Sequence, residues 1–197
     1  MSTFEYRHGA GASTPVTPRS SGAAVEAAPA EISPRARTAL RYVGAAIRLC
    51  LGWVFLWAFL DKLFGLGHET PPEEAWLEGG QPTAGFLGNA TAGPLAGFYQ
   101  GLAGLAWVDW LFMIGLLGVG LALILGIGMR IAAVAGALLL VLMWSAVLPP
   151  ANNPFMDDHL VDALVLVALA LGDAGRTLGL GGWWQRTALV RRWPALV

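Results

Sequence analysis

Residues 110–129, WLFMIGLLGVGLALILGIGM, run for twenty positions without a charge. A helix needs about 20 such residues to cross about 30 Å of hydrocarbon, so this stretch alone makes the chain a candidate membrane protein. After Arg130, residues 131–148 add eighteen more uncharged positions, closed by Pro149 and Pro150. One straight crossing cannot hold both runs; they form a hairpin that turns at GIGMR. Upstream, residues 43–60, VGAAIRLCLGWVFLWAFL, make another span, interrupted by Arg48. That arginine either snorkels to one end or faces a bundle interior. The composition agrees: 56% hydrophobic against 13% charged lies outside the balance of soluble globules.

The last apolar stretch is harder to read. In NNPFMDDHLVDALVLVALALGD, residues 152–173, only the ten residues 163–172 are free of charge. The distribution of arginine decides the reading. Arg7, Arg19, Arg35, Arg37, Arg41 and Arg48 precede or begin the first span, Arg130 lies in the hairpin, and Arg176, Arg186, Arg191 and Arg192 follow the last run. Four crossings put all eleven on one side and leave Lys62 opposite, as the positive-inside rule requires. The expected fold class is therefore all-α membrane, a four-transmembrane-helix bundle with both termini cytoplasmic. Its spans cover about 41–63, 108–128, 130–149 and 154–173 within a domain at 39–175. Residues 1–38, rich in Ala, Ser, Pro and Gly without a hydrophobic period, are expected to be a disordered tail. They lack the apolar core of a signal peptide, which leaves targeting to the first span.

Residues 64–107 form an outer loop, in which Leu95, Phe98, Tyr99, Leu102 and Leu105 fall at the spacing of a short amphipathic helix. Residues 176–197 carry Trp183, Trp184 and Trp193 among arginines, as suits a segment lying along the inner leaflet. Gly118, Ala122 and Gly126 on the second span, with Ala132 and Gly136 and with Ala133 and Ala137 on the third, are candidates for close packing within the hairpin.

Chemistry concentrates at the start of the fourth span. Asp157 and Asp158 belong at headgroup level, whereas Asp162 lies a turn deeper on the face shared by Asp158 and His159. Such a face points into the bundle. Together with Asp109 these groups offer ligand atoms, but one histidine among carboxylates does not predict a metal site. The single cysteine, Cys50, excludes an intramolecular disulfide or CxxC pair. Nothing in the sequence points to a nucleic-acid partner.

The stretches GWVFLWAFLDKLFG, QPTAGFLGNATAGPLAGFY and GMRIAA, with the polar start of the last span, resemble the DoxX/DoxD family of small bacterial and archaeal membrane proteins over roughly residues 40–182. The resemblance implies a bacterial cell membrane location and, in the DoxD branch, the large subunit of a thiosulfate:quinone oxidoreductase. Other DoxX-like proteins imply a non-enzymatic adaptor for soluble redox or thiol-stress proteins. On the enzyme reading a quinone binds near the outer interface. His159 is then the proton shuttle and Asp162 the carrier, with Asp158 beside them as the catalytic group. Trp53, Trp57, Lys62, Arg48 and Asp109 hold the ring or stabilise anionic forms. No flavin, haem or metal motif is present, so electron transfer would need direct contact between substrate and quinone, or a second subunit or soluble redox partner. Nine outer carboxylates against Lys62 alone disfavour a dianionic substrate at that surface.

Overall fold

The computed structural model describes residues 32–196, which contain helices and turns and no strand. The expectation for residues 1–31 lies outside the described residues. Helix α1 spans Pro34–Phe64. It starts earlier than its apolar run because the Ser33 side chain accepts a hydrogen bond from the Ala36 N–H and Pro34 pre-sets the first turn. It stops at Gly65, whose φ of 63° lies in the left-handed region. At 31 residues it is about 46 Å long, more than the hydrocarbon thickness.

A long connection follows, with turns at Pro72–Glu74 and Trp76–Glu78 and a short helix α2 at Ala96–Gln100. The expected amphipathic helix is thus only five residues long: Tyr99 is buried, while Phe98 and Leu95 remain exposed. Tyr99 Oη meets Ser145 Oγ at 2.5 Å and the Ala92 N–H donates to the Ala146 carbonyl at 2.9 Å, which seats the loop on one end of the bundle. This is the loop end; the other, with Arg130, is the hairpin end.

Helix α3, Ala106–Leu125, and helix α4, Met129–Ala146, form the hairpin. Gly126 and Gly128, with φ of 72° and 59°, make the turn that GIGMR predicts. Helices α1, α3 and α4 are long and apolar enough to cross a membrane. Helix α5, Asp158–Leu171, begins four residues after the expected Pro154, because Asp157 rather than the proline caps it. Its 14 residues rise about 21 Å. Two short helices, α6 at Gly181–Trp184 and α7 at Ala188–Arg192, end the described chain.

The core joins Leu51 and Phe55 of α1, Met113, Leu116, Val119 and Leu123 of α3, Leu140 of α4, and Leu166 and Leu169 of α5. Helix α1 packs mainly on α3 and α5 mainly on α4. Glycine permits both approaches, at Gly136 as expected and at Gly120 rather than the expected Gly118. A Cβ at Gly118 would meet nothing within 4 Å, whereas one at Gly120 would lie 2.9 Å from the Leu56 backbone nitrogen. One at Gly136 would lie 2.7 Å from Leu166. Gly120 thus lets α3 approach α1, and Gly136 lets α4 approach α5 while its Cβ position also faces Val119 of α3 at 3.1 Å; within the hairpin a Cβ at Gly115 would meet the Leu139 side chain at 3.1 Å.

Candidate functional site

The polar start of α5 is organised by Asp157. One of its oxygens accepts the Leu160 N–H at 3.3 Å, closing the helix N-terminus, and the other lies 2.8 Å from His159 Nδ1. A carboxylate accepts this hydrogen bond and the imidazole Nδ1–H donates it, which turns Nε2 away from Asp157. Asp158 stands 3.6 Å from the same Nδ1 but is exposed. Below this pair α5 buries Ala163, Leu166 and Leu169. His159 and Asp162 extend that stripe toward the loop end, both half-buried. Asp162 accepts no hydrogen bond from the described residues; its charged neighbours are Asp158 and His159. Beside the helix start an open hollow of about 630 Å³ is lined by Ala90, Ala92, Val147, Pro149, Met156 and the carboxylates of Asp157 and Asp158. Asp157 thus faces the hollow on one side and His159 on the other.

The α1 residues expected near this group form a second one. Trp53 and Trp57 lie with ring centres 5.7 Å apart, and the edge of His68 meets Trp57 at 5.0 Å. Lys62 is held 3.7 Å from Glu69. The reason these loop residues come back to α1 is Asp61. Its buried carboxylate accepts the backbone N–H groups of His68, Glu69 and Thr70 at 3.3, 3.0 and 2.9 Å. Three donors converging on one carboxylate replace the water it loses on burial.

Asp109 and Arg48 are engaged elsewhere. Asp109, buried, accepts the Thr83 N–H at 2.9 Å and the Thr83 hydroxyl at 2.6 Å, which ties the loop to the start of α3. Arg48 is wholly buried at the hairpin end. Its guanidinium donates to the carbonyls of Leu123 and Ile124 at the end of α3, and to those of Thr177 and Leu178 after α5 at 3.3 and 2.9 Å. The last carbonyls of a helix lack intrahelical donors and carry partial negative charge, so they stand in for the carboxylate that a buried cation normally requires.

The structure therefore brings His159, Asp158 and Asp162 together and adds Asp157. It places Trp53, Trp57 and Lys62 in a separate cluster with His68. Asp109, in the first turn of α3, and Arg48 of α1, bonded to the last turn of α3, join neither. Trp53, Trp57 and Lys62 lie on α1 and His159, Asp158 and Asp162 on α5, two helices that pack mainly on different neighbours. Asp157 was legible in principle, since Asp at a helix N-cap with a side chain two residues on is a local pattern. His68 was not, because Asp61 alone brings it back.

No curated protein and no solved structure matches the chain. The family model DoxX matches residues 44–148, from the turn of α1 that precedes Arg48 to the end of α4. That match covers more than half of the 197 residues, and the chain belongs to the DoxX family.

Proposed function

We propose that this DoxX-family membrane protein is a subunit of a quinone-linked oxidoreductase in the bacterial cell membrane. In this reading α5 is a fourth crossing, both termini are cytoplasmic, and the loop end faces outward. The observation that carries it is the 2.8 Å contact between Asp157 and His159 at the mouth of α5, with Asp162 one turn deeper on the inward stripe. An acid-base pair at that depth suits proton exchange between outer water and a membrane-embedded acceptor, which consumes two protons on two-electron reduction. The donor is assigned to a partner subunit. Lys62, the one Lys or Arg at the loop end among the described residues, is paired with Glu69, and the surrounding carboxylates repel a dianion such as thiosulfate.

The test is reduction of a soluble quinone analogue by the protein reconstituted with its co-purifying partners. His159→Ala and Asp162→Asn are each expected to slow the reaction about a hundredfold, the range of a lost general acid-base group, without changing which partners co-purify. Partner capture with no quinone reduction in the wild type would replace this reading with that of a membrane adaptor.

A further inference from the structure

The hairpin end carries a second built feature, independent of the acid-base group. The chain after α5 is fastened to the bundle at several points. The Leu180 N–H donates to the Leu125 carbonyl at 2.8 Å, Gln185 Nε2 donates to Asp173 at 3.0 Å, and Trp184 Nε1 donates to the Leu196 carbonyl at 2.6 Å. Thr187 caps α7 by accepting the Val190 N–H at 3.4 Å, and Val190 is buried. Helix α7 therefore has a fixed inward side, and Leu189, Arg191, Arg192 and Trp193 are left exposed. Arg130, at the start of α4, reaches the same place, since its guanidinium lies 3.5 Å from the Pro194 carbonyl.

Arg130 thus reaches the segment that follows α7, so exposed arginines and an indole from two parts of the chain lie at one end of the bundle. Among the described residues the only carboxylate at this end is Asp173, which is already engaged by Arg176 at 3.2 Å and by Gln185. The Leu180 to Leu125 hydrogen bond starts this segment where the apolar run of α3 ends, the level at which a spanning helix meets the headgroups. Guanidinium forks match phosphodiester oxygens, and indoles favour the membrane interface.

We propose that Arg130, Arg191, Arg192 and Trp193 form a binding site for the phosphodiester headgroup of an anionic phospholipid. A solvated basic tail would bind no lipid in particular; a folded one, held against the hairpin turn, presents its charges in a fixed arrangement.

Titration of the full chain in dodecyl maltoside with short-chain phosphatidylglycerol, followed by tryptophan fluorescence, tests the site. Saturable binding is expected in the wild type. Each single change among Arg130→Gln, Arg191→Gln and Arg192→Gln should weaken it about fivefold, and all three together about a hundredfold. Arg35→Gln with Arg41→Gln, on the exposed overhang of α1, should leave affinity within about twofold, because diffuse charge is not the determinant. An equal loss in that control pair would overturn the proposal, as would displacement of the lipid by inorganic phosphate. Native mass spectrometry of the wild type gives a reading that no variant's folding can confuse. Retention of phosphatidylglycerol over phosphatidylcholine is expected, and equal retention of both contradicts the site.

Discussion

Arg48 shows how a charge inside a membrane bundle is made structural. Four carbonyls from two separate segments converge on one guanidinium. Removing it leaves those carbonyls without donors inside the fold. Arg48→Met is expected to destabilise the protein by about 1–3 kcal/mol, the cost of leaving buried carbonyls without donors. Arg48→Lys should recover only part of this, since an ammonium lacks the planar fork that reaches both segments. Thermal unfolding in detergent checks both, and an unchanged midpoint for Arg48→Met would show that the carbonyls find other donors. None of this arrangement is legible in the sequence, because the acceptors lie 75 to 130 residues from Arg48 along the chain. A linear reading sees an arginine in an apolar run and can offer only snorkelling or an inward role. Asp109 was hidden for the same reason, its partner Thr83 lying 26 residues back.

The elements divide by how local their determinants are. Helices α3 and α4 are legible because uncharged runs of membrane length and a glycine turn suffice to define them. The early start of α1 at Ser33 and Pro34 follows from a cap that a hydropathy reading passes over. Packing is less legible, since glycine is abundant and only the three-dimensional neighbours distinguish Gly118 from Gly120. The two should respond oppositely to one added methyl group. Gly120→Ala drives a Cβ against the α1 backbone and should cost about 1–3 kcal/mol, the range for overpacking. Gly118→Ala enters open space and should be neutral or stabilising by up to about 1 kcal/mol through helix propensity. Equal effects at the two positions, measured by thermal unfolding in the same detergent, would mean that α1 and α3 do not meet along this line.

At the scale of the whole molecule, the basic hairpin end and the carboxylate-rich loop end give the bundle its proposed orientation, and α5 is the element on which that orientation turns. At 14 residues it is shorter than the hydrocarbon is thick, yet its buried Ala163, Leu166 and Leu169 share the core of the three longer helices. In the proposed orientation its acid-base start belongs to the outer face and its arginine-bearing sequel to the inner one. The most direct measurement is labelling of intact cells with a membrane-impermeant maleimide, using Asp158→Cys and Arg186→Cys, each in a Cys50→Ser background. Position 158 is expected to react from outside and position 186 only after permeabilisation. Reaction of both from the same side would contradict the fourth crossing and, with it, the outward-facing proton site.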